Sequence, residues 1–257
     1  MLKIDRHRII EDTLNHTGSI TISDISAKLQ CSEETIRRDL KEMEAEGILK
    51  RIHGGAYLPS DEDKDVPLKL RELYIPKEKD QIAKIAIDHF IQDKDVIMLD
   101  SSSTCLHLAK MLLQTDLYIT IITNSLSIIS LFNDNHNNVK LIAIGGRYKD
   151  RSHSFIGPKA RDAISRYLVD KSFISCSAID IQNGLLDNNE HECDIRRTII
   201  KHSKNRILLV DHTKFSDSGA YIIDQFQRIS TVITDRMPSR EWQDYFNEND
   251  IALLSPQ

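Results

Sequence analysis

Residues 32–40 have the sequence SEETIRRDL, and this stretch decides how the N-terminal part of the chain folds. Ser32 is a good N-cap, and the two glutamates that follow it suit the positive end of a helix dipole. Ile36, Leu40 and Met43 then recur at helical spacing, which predicts a helix with one buried face. The opposite face of that helix carries polar and basic residues.

The segments on either side of this helix complete a small domain over residues 1–58. Thr21 and Asp24 have capping-box spacing, Gly47 is suited to end the third helix, and a Gly-Gly turn follows a short apolar strand. Two helices joined by a short turn and followed by a basic hairpin are the parts of a winged helix-turn-helix. The predicted elements are helices over about 5–15, 22–29 and 33–46 and strands over 48–52 and 56–58.

The rest of the chain has a different pattern. Residues 59–67 are polar and bracketed by prolines, and a linker is predicted over 59–76. From residue 77 to 257, short apolar strands alternate with amphipathic helices, which predicts a Rossmann-like α/β domain with a mainly parallel sheet covered on both faces. The predicted strands are Val96–Leu99, Leu117–Ile122, Val139–Ile144, Phe173–Ser177, Ile207–Val210 and Val232–Thr234.

Composition excludes several classes of protein. The chain has 257 residues, 40% apolar and 28% charged, without an apolar run of membrane-spanning length or a signal-peptide core, so a cytoplasmic protein is expected. The cysteines form no C-x-x-C pair and the histidines have no ligand spacing, so we predict no metal and no cofactor. These residues are Cys31, Cys105, Cys176 and Cys193, and His7, His53, His153 and His191.

The sum of charges does not indicate a nucleic-acid partner. Net charge is −5, and residues 1–57 hold nine Lys or Arg against ten Asp or Glu. The placement of the basic residues is more informative, because they occupy the polar face of the third helix and the hairpin after it. Paired with neighbouring acids, the arginines could also be only a solvated helix face. The candidate contacts to double-stranded DNA are Thr35, Arg37, Arg38, Lys41, Lys50, Arg51 and His53.

Three predicted strands of the second domain end in small polar residues or glycines. Backbone N–H groups at a helix N-terminus bind anions, and ligands of open α/β sheets bind beyond the carboxyl ends of strands. We therefore expect one pocket, in which Asp100 accepts bonds from sugar hydroxyls, although serine runs also cap helices without any ligand. The candidates are Asp100, Ser101, Ser102, Ser103, Thr104, Thr123, Asn124, Ser125, Gly145 and Gly146.

The order of these motifs resembles the DeoR family of transcriptional regulators along nearly the whole chain. The residues that carry the resemblance are SEETIRRDL at 32–40, RIHGGA at 51–56, Asp100 with Thr104, TNS at 123–125, the glycine pair, and D-H-T-K-F at 211–215. The resemblance implies an operator-contacting helix, a wing, and a sensor related in fold to ribose-5-phosphate isomerase and glucosamine-6-phosphate deaminase. It also adds Asp180, Glu192 and Lys214 to the effector candidates, the last of which could equally be a surface lysine.

By this resemblance the chain is expected to be a homo-oligomer, a dimer or tetramer, that represses a carbohydrate operon under control of a phosphorylated sugar. The Ser101-Ser102-Ser103-Thr104 loop is most similar to the L-fucose operon regulators of the family, which implies a deoxy-sugar phosphate and leaves the sign of regulation open. Two alternatives remain. The second domain could be a sugar-phosphate isomerase-like enzyme, or the chain could be a ligand-binding module that has lost DNA binding.

Overall fold

A computed structural model describes residues 1–60, 65–132 and 138–256. The chain divides into two compact units, Met1–Tyr74 and Ile75–Gln257. The centre of the predicted linker, residues 61–64, lies outside the described residues. In the described part of the chain, no helix has both the length and the apolar character that crossing a membrane requires.

The first unit is a three-helix bundle with a small antiparallel sheet in the strand order β1-β3-β2. The predicted caps form, because Thr21 Oγ1 accepts the Asp24 N–H at 3.0 Å and Ser32 Oγ accepts the Thr35 N–H at 3.2 Å. Gly47 has a φ of 78°, as the predicted helix stop requires. The elements of the first unit are α1 (Lys3–Thr17), β1 (Ser19–Thr21), α2 (Ile22–Leu29), α3 (Glu33–Ala45), β2 (Lys50–Ile52), β3 (Gly55–Tyr57) and α4 (Leu68–Leu73).

Two features of this unit differ from the prediction. Strand β1 was not expected, and it pairs with β3 so that the wing is a three-stranded sheet. Helix α4 lies in the predicted linker 59–76, which is therefore too long as predicted. Leu68 and Leu70 are buried, and a methyl of Leu70 lies 2.5 Å from where a Cβ on Gly55 would stand, so α4 packs on the wing.

The second unit contains six helices and twelve strands within its described residues. The predicted strand Val96–Leu99 has the same bounds in the structure, and the other predicted strands are present with shifted ends. The elements are α5 (Pro76–Phe90), β4 (Val96–Leu99), α6 (Ser103–Leu112), β5 (Ile119–Thr123), α7 (Leu126–Leu131), β6 (Val139–Ala143), β7 (Arg147–Lys149), β8 (Ser154–Ile156), α8 (Pro158–Ile164), β9 (Val169–Ile174), β10 (Ala178–Asp180), β11 (Gly184–Asp187), α9 (Glu190–Lys201), β12 (Ser203–Leu209), β13 (Tyr221–Asp224), β14 (Thr231–Ile233), α10 (Arg240–Glu248) and β15 (Ala252–Leu254).

Seven of these strands form a parallel sheet in the order β15-β14-β12-β9-β4-β5-β6. The chain builds the sheet outward from β4 in one direction and then returns to place β9 on the other side of β4. The predicted Rossmann-like class is thus confirmed, with its topological switch point between β4 and β9. A separate antiparallel sheet, β10-β11-β13, and the hairpin β7-β8 were not expected from the sequence.

Candidate functional site

Helix α3 presents the predicted DNA contacts on its outer face. Ile36, Leu40 and Met43 are buried against the rest of the first unit. On the outer side Arg37, Arg38 and Lys41 are exposed, while Thr35 is half-buried and lies 2.9 Å from Ser32, oxygen to oxygen. The wing residues Lys50, Arg51 and His53 are exposed as well.

The structure brings part of the helix and part of the wing together around one groove. A cavity of about 520 Å³ is lined by Arg37 and Glu44 of α3 and by Arg51, His53 and Gly54 of the wing, among others. Glu44 fixes the wing to the helix, because its carboxylate accepts the Arg51 backbone N–H at 2.8 Å and lies 3.1 Å from Arg51 Nε. The groove therefore has a defined shape.

The basic residues of α3 differ in their partners. Arg37 lies 2.6 Å from a carboxylate oxygen of Glu33 and 3.8 Å from one of Glu34. Within the described ranges of the chain, Arg38 and Lys41 have no ion-pair partner. Their charges are therefore available to a phosphate or a base without first breaking an internal pair.

Asp39 faces inward and holds an arginine of another helix. Its carboxylate accepts two hydrogen bonds from Arg6 of α1, at 2.7 and 3.0 Å, and lies 3.4 Å from His7 Nε2. Burial alone would raise the pKa of Asp39, but the hydrogen bonds and the charge of Arg6 outweigh it, so the pKa lies below its ordinary value. His7, Asp39 and Glu42 form a cluster that fixes α1 to α3, with Lys3 paired to Glu42.

In the second unit, the serine-rich loop lies at the switch point of the sheet. It follows β4 and begins α6, where Ser102 is the N-cap and its Oγ accepts the Cys105 N–H at 3.1 Å. The first turn of a helix has N–H groups without partners in the helix, here those of Ser103 and Thr104. The loop is closely packed, since no residue from Asp100 to Thr104 is more than 6% exposed.

Asp100 does not have the free carboxylate that the sequence analysis expected. One of its oxygens accepts the Ser102 N–H at 2.9 Å, and the other accepts the Ser175 N–H at 3.1 Å and Arg196 Nε at 2.8 Å. Arg196 also donates to Asp187 at 2.8 Å. Asp100 therefore fixes the loop rather than pointing an empty acceptor toward a sugar.

Glu192, the next candidate, connects the loop to the hairpin β7-β8. It is buried and accepts hydroxyl hydrogen bonds from Ser101 at 3.1 Å and from Ser152 and Ser154 at 2.7 Å each. Burial favours the neutral acid, but the Arg196 charge and the serine hydroxyls outweigh it, so the pKa of Glu192 lies below its ordinary value. Glu192 is thus a buried carboxylate that stays ionised.

The second polar strand end adjoins the same hairpin. Thr123 and Ser125 use their hydroxyls to accept local backbone N–H groups, at 3.1 and 3.3 Å, so Ser125 caps α7. Asn124 donates to the Phe155 carbonyl at 3.0 Å. Its Oδ1 is buried and has no hydrogen-bond partner among the described residues. The side-chain carbonyl of Asn124 is therefore a hydrogen-bond acceptor available beside the serine-rich loop.

The remaining candidates are dispersed. Gly145 and Gly146 follow β6, the edge strand two positions away from β4. Asp180 shapes the β10-β11 turn, because its Oδ1 accepts the Asn183 N–H at 2.8 Å. Lys214 is half-buried in a short 3₁₀ helix after β12, close enough to lower the pKa of the Cys176 thiol, which burial nevertheless raises to about 12.

Sequence reasoning missed four residues of this network: Ser152, Ser154, Asp187 and Arg196. Arg196 could have been found, since it follows Glu192 by four positions on a predicted helix and so shares its face. The two serines carry no such signal, because the hairpin that positions them was not predicted.

Comparison with known proteins matches both units to families. A model of the DeoR-like helix-turn-helix domain matches residues 6–62, and a model of the DeoR C-terminal sensor domain matches residues 75–236. The uncharacterised helix-turn-helix regulator YulB of Bacillus subtilis is 35% identical over 91% of this chain and 90% of its own. The L-fucose operon activator of Haemophilus influenzae is 31% identical over 97% and 98%, and the repressor GlcR of Bacillus subtilis 30% over 99% and 96%.

Solved structures resemble part of the chain. Ribose-5-phosphate isomerase A of Methanocaldococcus jannaschii has a TM-score of 0.39 and 17% identity, and the match covers 54% of this chain and 53% of that one. The beta subunit of eIF2B from Chaetomium thermophilum has a TM-score of 0.40 and 21% identity over 60% and 43%.

Proposed function

Because the chain belongs to the DeoR family and is a helix-turn-helix transcriptional regulator, we propose that it represses a carbohydrate operon and that a phosphorylated sugar bound to its C-terminal domain controls it. Ligand binding shifts the population between a state that binds the operator and one that does not. The regulator acts as a homo-oligomer, a dimer or tetramer, whose paired helices contact two half-sites.

One observation carries the DNA-binding half of the proposal: Arg38 and Lys41 are exposed on the outer face of α3, and among the described residues neither has an ion-pair partner. Charge placement matters here because the first 57 residues are nearly neutral in sum. Arg38 in the major groove can bind guanine or phosphate, and Lys50 and Arg51 of the wing can contact phosphate. Thr35, Arg37 and His53 complete the proposed surface.

The sensor half of the proposal rests on the loop at the switch point. The N–H groups of Ser103 and Thr104, with the small side chains around them, suit a phosphate. The orphan Asn124 Oδ1 suits a sugar hydroxyl, which donates a hydrogen bond. Asp100, Arg196 and Glu192 position these groups, and Lys214, beyond the end of β12 and so two strands from β4, is a more distant candidate cation. Asp180 and Gly145 lie in turns and have weaker support as contacts.

The effector proposed most specifically is a deoxy-sugar phosphate. Two relatives at 31% and 32% identity are named L-fucose operon activators, and the serine-rich loop of this chain resembles that of the L-fucose operon regulators. Other relatives are named repressors, and repression is the sign proposed here. A reporter fused to the promoter decides the sign, because deletion of the regulator raises expression from a repressed promoter.

An enzymatic role is not proposed. The carboxylate of Asp180 is engaged by the N–H groups of its own turn, and Glu192 is buried under three serine hydroxyls. Neither is placed to exchange a proton with a sugar. Measurable isomerisation of pentose or hexose phosphates by the purified protein would contradict this part of the proposal.

The decisive experiment is binding of the purified chain to promoter DNA, followed by fluorescence anisotropy over a range of salt. Affinity should fall steeply as salt rises, and Arg38→Ala should weaken binding by at least about tenfold. Arg166→Ala, which removes an exposed arginine from the second unit, is the control and should leave affinity unchanged. Equal affinities for the two variants would contradict the assignment of α3 as the helix that contacts DNA.

Effector binding is tested separately by a thermal-shift screen of sugar phosphates, since a ligand that binds only the folded state raises its stability. Ser102→Ala combined with Thr104→Val should greatly reduce the shift caused by the effector sugar phosphate. A full shift in that double variant would show that the loop is not the phosphate site.

A further inference from the structure

The hairpin β7-β8 and the helices α8 and α9 enclose a cavity of about 650 Å³ on the second unit. Its lining includes Arg147, Lys159 and His191 and, of the residues with a described position, no acidic one. All three side chains are exposed, and across the residues that the structure describes none of them has an ion-pair partner. In a chain with a net charge of −5, this is a local concentration of positive charge.

The walls of this cavity are held in place from α9. Glu192 accepts hydrogen bonds from Ser152 and Ser154 of the hairpin at 2.7 Å each, and Asp194 lies 3.2 Å from Arg161 of α8. His191 lies on the same turn of α9 and lines the cavity. The hairpin and α8, on the two sides of the cavity, are held in place by Glu192 and Asp194.

Two glycines line the cavity. A Cβ on Gly146 would lie 2.8 Å from the Ile156 carbonyl oxygen and 2.9 Å from the Ala160 Cβ, so glycine at this position lets the chain pack closely against β8 and α8. Gly157 has φ 90° and ψ −176°, a conformation that belongs essentially to glycine. No described atom lies within 4 Å of where a Cβ on Gly157 would stand, so a small ligand can approach the main chain closely there.

We propose that this cavity is a second anion site of the sensor domain, which takes a small dianion such as a phosphate monoester through Arg147, Lys159 and His191. It is separate from the proposed effector loop, because Gly146 follows the edge strand β6, two strand spacings or about 10 Å from β4. Gly146 thus serves this cavity rather than the switch-point pocket. Ile156 and Pro158 give the bound molecule an apolar side to pack against.

The test uses inorganic phosphate as the probe and the full chain in the Ser102→Ala/Thr104→Val background, which disables the proposed effector loop. Phosphate affinity is obtained from the phosphate dependence of the unfolding midpoint, followed by fluorescence of the single tryptophan, Trp242, at constant ionic strength. Adding Arg147→Ala/Lys159→Ala should weaken phosphate at least about tenfold. The matched control, Lys140→Ala/Arg166→Ala, removes the same two charge types from exposed positions outside the cavity.

Equal phosphate dependence in the two quadruple variants would overturn the second site. Phosphate also stabilises proteins non-specifically, and this effect is the same in both quadruple variants. A difference between their phosphate dependences therefore comes from contacts in the cavity. The proposed function fails independently: if Ser102→Ala/Thr104→Val alone leaves the thermal shift with the effector sugar phosphate unchanged, the effector loop is misplaced, whereas the comparison of quadruple variants still decides the cavity.

Discussion

Asp100 and Arg196 are separated by 96 residues in sequence and form a buried hydrogen-bonded ion pair of 2.8 Å. Asp100 directly follows strand β4, and Arg196 lies in the middle of α9. The same guanidinium reaches Asp187 at the end of β11, also at 2.8 Å. One arginine therefore joins the candidate effector loop, a helix and the antiparallel sheet.

Arg196→Met should strongly destabilise the second unit. The substitution leaves Asp100 and Asp187 buried without their cation, and breaking a buried pair in this way costs about 3–5 kcal/mol. Urea unfolding followed by Trp242 fluorescence measures the loss, because this tryptophan packs against Phe226 and Phe246 of the second unit. Arg161→Met, which breaks the half-buried pair with Asp194, is the control and should cost less than about 1 kcal/mol, because both side chains keep contact with solvent. Comparable losses would contradict the role assigned to Arg196.

Acid should destabilise the second unit partly through Glu192. Its pKa in the folded protein lies below the ordinary value of 4.5, so its contribution is full above that pH and is lost as pH falls through the lower folded value. Urea midpoints measured from pH 6 to pH 3 should therefore decline more steeply in the parent protein than in Glu192→Gln. Glu190→Gln, an exposed neighbour on α9, should keep the parent slope. Identical slopes for parent and Glu192→Gln would refute the assignment.

The sequence could predict those parts of the fold that depend on local pattern. Thr21 and Ser32 cap the helices as their spacing predicted, and β4 lies where its apolar run placed it. Strands β9 and β12 begin earlier than predicted, at Val169 and Ser203. The prediction missed their first halves because these are polar and only the second halves form an apolar run. The same alternation of strands and helices predicts a loop after β4, where the switch point of the sheet lies.

The partners of the site residues could not be predicted in the same way. Asp100 was expected to face a ligand, and the direction of its carboxylate depends on Arg196, which tertiary packing alone brings near. Ser152 and Ser154 reach Glu192 because a short hairpin folds back across α9. Such contacts have no local sequence signal, so the sequence predicted neither the hairpin nor which atoms bond.

Gly55→Ala should damage the wing without affecting the second unit. An added Cβ would lie 2.2 Å from the Ile20 carbonyl oxygen, and backbone cannot move aside as a flexible side chain can. We expect a loss of about 1–3 kcal/mol in the N-terminal unit and weaker operator binding, measured by circular dichroism and anisotropy. Gly47→Ala, which meets no atom within 4 Å but has φ 78°, should cost about 1 kcal/mol and serves as the comparison. A Trp242 unfolding midpoint lowered by Gly55→Ala would argue against a local effect.

Glu33→Gln should strengthen operator binding. In the free protein Glu33 holds Arg37 at 2.6 Å, and this pair must weaken before Arg37 can turn to a phosphate. The substitution also removes a negative charge from the surface proposed to face DNA. An exposed i,i+4 pair is worth less than about 1 kcal/mol, so the gain should be about threefold and should shrink as salt screens it.

Anisotropy with promoter DNA at low and high salt measures both effects. Glu11→Gln, an exposed glutamate on α1, is the control and should change affinity less. If Glu33→Gln weakens binding instead, Glu33 itself contributes to operator recognition and the outer face of α3 is used differently from the proposal.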